Sequence, residues 1–181
     1  MTVARSSPSR DVGIDPTQDK LHRDLLDHPG HLVRRLHQIS VSAFLDVLSH
    51  LGITSTQYAA LAAIGSCPDI DQTTMAGLIG IDKSTAGLIA TRLVKRGLIH
   101  RKKNAQNKRL MALSLAPDGV IVYQEALKKA DLVHDRLLSP LSKAEREVLI
   151  DLIKKVVGAN NEISRAPLQL KFGETHDFDI G

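Results

Sequence analysis

From Pro29 onward, apolar residues recur every three or four positions, at Leu32, Leu36, Ile39, Ala43, Val47 and Leu51. That is the period of one helical face, and it predicts a helix over about 29–51, opened by Pro29 and stopped by Gly52. Thr54-Ser-Thr-Gln57 has the form of a capping box, so a second helix begins there, carries Tyr58, Leu61, Ala62 and Ile64 on its stripe, and ends near Ser66 ahead of Pro68. A short helix is expected from about Gln72 to Ile79. Gly80 then turns the chain, and Asp82 caps a further helix that runs to Arg96 and stops at Gly97. Residues 98–115 read as two apolar-containing strands around a polar tip, the signature of a hairpin. Ala116-Pro-Asp-Gly119 turns into a long helix over about 118–138, with Val120, Ile121, Leu127, Ala130, Val133, Leu137 and Leu138 as its expected buried face. Pro140 interrupts it. Ser142-Lys-Ala-Glu145 is a second capping box, and the stripe behind it, Val148, Leu149, Leu152, Ile153, Val156 and Val157, is too apolar to be left in water.

Composition narrows this outline. A chain of 181 residues, 43% hydrophobic and 24% charged, supports one cooperative core. Aromatics are 3% and tryptophan is absent, so Leu, Ile, Val and Ala must fill that core, which favours packed helices. The fold class expected is mainly α with a small β-hairpin wing. Residues 1–27 are polar and aperiodic and read as a flexible arm; 161–181 read as a C-terminal tail. The N-terminus lacks the apolar run of a secretory signal, and no stretch reaches the ~18 apolar residues of a membrane span, which predicts a cytoplasmic protein with no membrane partner. The single cysteine, Cys67, excludes an intrachain disulfide and a cysteine-type zinc site, and the histidines have no metal-ligand spacing. No nucleophile-elbow, zinc-protease, phosphate-loop or dinucleotide fingerprint occurs, so neither a cofactor nor an enzymatic activity is expected.

Charge is distributed unevenly. The window Asp82 to Leu110 holds nine Lys or Arg against one acid, while the rest of the chain holds 15 basic and 19 acidic residues. All of the net charge of +4 therefore comes from that window, and a polyanion is its expected partner. The same window carries a helix-turn-helix pattern: a bracing helix, a glycine turn, and a second helix whose N-terminal half can enter the major groove of double-stranded DNA. In that second helix Ala86, Ile89, Ala90 and Leu93 should pack inward, leaving Lys83, Ser84, Thr85, Gly87, Thr91 and Arg92 as candidate DNA contacts, with Lys95 also outward. In the hairpin, Arg101, Lys103, Lys108 and Arg109 are the candidates, on a tip small enough to follow a minor groove.

Residues 29–158 resemble the MarR-type winged-helix regulators. The resemblance is carried by Thr54-Ser-Thr-Gln-Tyr58, by Met75 to Gly97 with its Arg-Leu-Val-Lys-Arg-Gly ending, by the hairpin, and by Leu141-Ser-Lys-Ala-Glu145. It implies a homodimeric repressor, with 28–53 and 118–160 as dimerisation helices and 54–117 as a winged helix-turn-helix presented to half of a pseudo-palindromic operator. Two departures stand out: Asn107 replaces the acidic residue common two positions before the wing arginine, and Gly87-Leu88 replaces residues that are commonly polar or basic. Regulators of this kind are switched by small ligands. His31, Arg34, Arg35, His37, Ser40, Phe44 and Tyr58 are the candidate effector residues, since a guanidinium suits a carboxylate and an apolar floor suits its ring. The segment Pro29 to Gln38 resembles members that respond to aromatic acids or their CoA thioesters. The alternatives are redox sensing through Cys67 and an architectural DNA protein that answers to no ligand.

Overall fold

The computed structural model describes residues 24, 26–104 and 110–169. It falls into two compact units, Met1–Ser40 and Val41–Gly181. Helix α1 runs Pro29–Leu48 and tightens into a 3-10 turn, Ser49–Leu51, before Gly52 takes a left-handed conformation (φ 62°) that only glycine adopts without steric cost. In the first unit, its side chains bond within the helix: Arg35 donates to Gln38 Oε1 at 2.9 Å.

The second unit is built around six fully buried side chains, Leu48, Leu61, Ile64, Met75, Leu93 and Leu113, each worth roughly 1.5–3 kcal/mol of transfer free energy. Helix α2, Ser55–Ser66, starts at the expected capping box: Gln57 N–H donates to Thr54 Oγ1 at 3.2 Å and Thr54 N–H to Gln57 Oε1 at 3.0 Å. After a reversal at Asp69 (φ 62°), a two-residue strand β1, Ile70–Asp71, leads into α3, Gln72–Ile79, and after Gly80 into α4, Lys83–Lys95. Strands β2, Ile99–Lys103, and β3, Met111–Leu115, form the hairpin. All three strands make one antiparallel sheet in the order β1-β3-β2, with Leu113 between Ile70 and Arg101. The pattern did not reveal β1, since two residues are too short to display a period of two.

The single helix expected over 118–138 is two helices. α5 spans Pro117–Lys128 and α6 Ala130–Leu138, separated at Lys129, whose backbone leaves the helical well (φ −106°, ψ 2°) and whose N–H falls back to a three-residue bond with Ala126 O. Neither Gly nor Pro marks the break. It coincides with a tertiary tether, Lys129 Nζ lying 3.2 Å from His50 Nε2 and 3.5 Å from Glu125 Oε1. The expected buried face is also corrected. Val120, Ile121 and Leu127 are exposed within this chain and Ala130, Val133, Leu137 and Leu138 only half-buried, because the inward edge of α5 is formed instead by Gly119 and Ala126, with Val122 and Tyr123 alongside. Gly119 is there by necessity: a Cβ on it would lie 1.8 Å from the carbonyl oxygen of Leu98.

Helix α7, Lys143–Ala159, starts at the second capping box, Ser142 with Glu145, and none of its residues is buried. Beyond it, a 3-10 turn at Asn161–Ile163 sends Ser164–Gln169 back onto α3. Asn161 clasps the Leu168 peptide from both sides, accepting from its N–H at 2.8 Å and donating to its carbonyl at 3.1 Å, and Gln169 N–H donates to Gly77 O at 2.8 Å.

Candidate nucleic-acid interface

Helix α4 forms where the sequence permits an unobstructed start. Asp82, extended at φ −71°, ψ 158°, accepts from the Thr85 N–H at 2.9 Å and also from the hydroxyls of Ser84 at 2.8 Å and Thr85 at 2.6 Å. Those three bonds, the Thr85 hydroxyl first, hold the Asp82 carboxyl far below the usual aspartate range. Asp71 does the same for α3 through Thr73 and Thr74; burial opposes ionisation there, but the Thr74 and Thr73 hydrogen bonds outweigh it and its carboxyl is also lowered.

Ala86, Ile89, Ala90 and Leu93 are all buried, as their spacing predicts, so α4 is fixed in rotation about its axis. At about 100° per residue the opposite pole carries Ser84, Leu88, Thr91 and Lys95. Lys83, Ser84, Thr91, Arg92 and Lys95 are exposed, Thr85 and Gly87 half-buried. Gly87 is flanked by the side chain of Gln72, whose Nε2 lies 3.3 Å from where a Cβ would stand, while the Gln72 Oε1 is buried with no hydrogen-bond partner. Nothing in the sequence pattern pointed to Gln72.

Two features alter the interface read from the sequence. The hydroxyl protons of Ser84, Thr85 and Thr91 are committed within the helix, that of Thr91 to Gly87 O at 2.8 Å, so each presents lone pairs outward and acts as an acceptor. Arg96, part of the basic excess, is committed as well: its guanidinium donates to Gly52 O at 2.5 Å and Leu51 O at 3.0 Å, tying the end of α4 to the turn after α1. The outward cations of α4 are therefore Lys83, Arg92 and Lys95.

In β2 only Ile99 is buried and His100, Arg101, Lys102 and Lys103 are all exposed, while β3 buries Ala112 and Leu113, so one strand anchors the hairpin and the other presents its cations to solvent. Asn104 N–H donates to Leu110 O at 3.0 Å and closes its described part. Lys108 and Arg109 lie outside the described residues, as does Asn107.

The candidate effector residues are placed as follows. His31 and Ser40 are half-buried and Arg34, Arg35 and His37 exposed on α1, with the Arg34 guanidinium 3.5 Å from His31 Nδ1. In the second unit Phe44 is buried and its ring centroid lies 6.1 Å from that of Tyr58, which lies 6.2 Å from Tyr123. Burial and then the neighbouring Tyr123 raise the Tyr58 phenol above its ordinary value. Cys67 is half-buried at the end of α2, where its N–H caps Ala63 O. Among the described residues no group of His, Cys, Asp or Glu is arranged to hold a metal, and no single helix is long and apolar enough to cross a membrane.

The pattern described as "MarR family" matches residues 53–111, from the residue after Gly52 to the first residue of β3. The transcriptional regulator HosA of Escherichia coli O127:H6 is 30% identical over 127 residues, which are 70% of this chain and 93% of HosA. The chain belongs to the MarR family. Its structure is similar to that of the PcaV transcriptional regulator from Streptomyces coelicolor, solved in complex with its natural ligand: TM-score 0.70, 35% identity, 75% of this chain and 96% of PcaV. It is also similar to BpsR of Bordetella bronchiseptica, solved to explain regulation of its DNA binding by 6-hydroxynicotinic acid: TM-score 0.68, 25% identity, 72% of this chain and 93% of BpsR. This MarR-family protein is thus a DNA-binding transcriptional regulator with a winged helix-turn-helix, in which α3 and α4 are the helix pair and β2-β3 the wing.

Proposed function

We propose that this regulator is a homodimeric repressor that holds a pseudo-palindromic operator through α4 and the wing of each protomer and releases it on binding a small aromatic carboxylate or its CoA thioester. The observation that carries the reading is the division of the exposed surface into two kinds. Apart from Leu88, the outward side of α4 and β2 is polar and cationic, through Lys83, Arg92, Lys95, Arg101, Lys102 and Lys103. On α5 to α7, Ile121, Leu132, Val148, Leu152, Val156 and Val157 are each more than half exposed. Large apolar side chains exposed in this number mark an interaction surface, and a second copy offering the same helices covers them by two-fold symmetry. DNA contacts then follow from Lys83, Ser84, Thr85, Gly87, Thr91 and Arg92 on the helix and from Arg101, Lys103, Lys108 and Arg109 on the wing.

The effector class rests on ligand chemistry and on relatives. Arg34 or Arg35 can pair a planar carboxylate through two hydrogen bonds, and His31, His37 and Ser40 add polar groups on the same helix. Phe44 and Tyr58 supply aromatic surface in the second unit. PcaV was solved with its natural ligand and BpsR with reference to an aromatic acid, 6-hydroxynicotinic acid. A panel of benzoates and cinnamates, free and as CoA thioesters, tests the reading by melting shift and by release of bound DNA. At least one should raise the melting temperature and weaken DNA binding by roughly 5- to 150-fold, the usual range of such coupling; indifference to the whole panel refutes the effector class.

A further inference from the structure

We infer that Leu88 reads a thymine C5-methyl group in each operator half-site, making this regulator's sequence preference depend on an apolar contact at the centre of α4. The inference rests on the proposal that α4 enters the major groove. Single exposed leucines are common and mean nothing by themselves, but this one has three properties that bear on DNA. It is 59% exposed, and in the described head between Ile53 and Asn104 the one other exposed large apolar side chain is Val94, 39% exposed at the far end of the helix. It lies at the outward pole of α4, one turn from Ser84 and one turn from Thr91 and Arg92, within the first two turns, the part of a recognition helix that meets base edges. Its rotation is fixed, since Ala86, Ile89, Ala90 and Leu93 behind it are all buried.

The neighbouring groups point to the same base pair. A major-groove edge offers acceptors on guanine, adenine and thymine, donors on adenine and cytosine, and a methyl group on thymine alone. Because Ser84 and Thr91 give their protons to Asp82 and to the Gly87 carbonyl, they are left to accept. Accepting hydroxyls match an amino group, of adenine or of cytosine, and Leu88 between them selects adenine by matching the methyl that its paired thymine alone carries. The surface is thus suited to an A·T pair, where a polar residue at position 88 would leave the methyl group unread.

The test uses the duplex recovered by selecting a random-sequence DNA pool on the full-length protein. Each thymine is replaced in turn, symmetrically in both half-sites, by deoxyuridine, which deletes the C5-methyl and nothing else. Burial of one methyl group corresponds to about a fourfold change in affinity, so one symmetric pair of substitutions should weaken binding about 15-fold. In Leu88→Ala, whose exposed site leaves folding intact, the thymine duplex should bind more weakly than to the natural protein, and uracil at that position should have no further effect. If a duplex is enriched but no uracil substitution weakens binding, or if the uracil loss persists in Leu88→Ala, the Leu88 assignment is wrong while the operator-binding reading stands. If selection enriches no sequence at all, both fall.

Discussion

Replacing Gly119 by alanine is expected to destabilise the protein, although glycine-to-alanine changes inside helices ordinarily stabilise by about 0.5–1 kcal/mol. Gly119 sits in the first turn of α5, against the chain that leaves α4 for the wing. An added Cβ would meet the Leu98 carbonyl oxygen at 1.8 Å and its carbon at 2.9 Å, and both are backbone atoms that cannot swing aside. Leu98 O also accepts the N–H of Ala116 at 3.0 Å, and Ala116 and Leu98 are buried at 3% and 4% exposure, so separating the segments leaves a buried donor and acceptor unpaired. Loss of that bond costs about 1–3 kcal/mol and overpacking about 1–3 kcal/mol more. After subtracting the helix-propensity gain, Gly119→Ala should lose about 3 kcal/mol, or about 6–12 °C in melting temperature for a chain of this size. Gly158, near the end of α7, is the internal control: nothing lies within 4 Å of its virtual Cβ, and Gly158→Ala should gain up to about 1 kcal/mol. Both variants are measured by thermal and urea unfolding at one fixed protein concentration, because an oligomer's stability depends on it. Equal or higher stability of Gly119→Ala would refute the close approach of α5 to the wing base.

Other outcomes follow from the same contacts. Gly77→Ala places a Cβ 2.8 Å from Gln169 Oε1 and 3.0 Å from Gln169 Cβ and should free Ser164–Gln169 from α3, raising amide exchange of Leu168 and Gln169; the added Gln169→Gly change, which removes both atoms, should restore much of the protection. Arg96→Ala removes two hydrogen bonds to the Leu51 and Gly52 carbonyls and should lower stability by about 1 kcal/mol, the small value reflecting their exposure, with little change in the salt dependence of DNA binding. Arg101→Ala and Lys103→Ala should each reduce the slope of log affinity against log salt by about 1 where the residue touches phosphate. The Asp82 carboxyl is depressed by its hydroxyl and amide donors, so its contribution to α4 is fully present above the ordinary aspartate value of about 3.9 and is lost only as pH falls through the lower folded-state value. Thr85→Val should raise that titration toward the ordinary range, read from the carboxyl carbon shift in an NMR titration.

Local chemistry was the most legible part of the chain. Both capping boxes, the Asp82 cap and the glycine stops at 52, 80 and 97 are decided by side chains within three residues, and each is found where the pattern puts it. The rotation of α4 was equally legible, since four small or branched apolar residues can be buried on one side only. What the sequence concealed are events decided at long range. The break at Lys129 leaves the apolar period uninterrupted and is matched by partners near residue 50. Strand β1 exists because β3 is there to pair with it. The inward edge of α5 was misread because the helix mixes residues facing its own core with residues proposed to face a second copy, and periodicity alone does not separate two buried faces. At the DNA surface, residue types named the cations but not their commitments: Arg96 is spent on carbonyls and the α4 hydroxyls on a carboxylate and a backbone oxygen.

On the proposed reading, two copies of this chain hold one operator through α4 and the wing. A hydroxyl-radical footprint on the duplex recovered by selection tests it most directly, with the mass of the complex determined on the same sample by sedimentation. Two chains per duplex are expected, with two protected half-sites of inverted sequence centred about 10 base pairs or a multiple apart, and with protection in the adjoining minor groove weakened in Arg101→Ala. A single chain per duplex, or protection that spreads along the DNA without a repeated half-site, would contradict it.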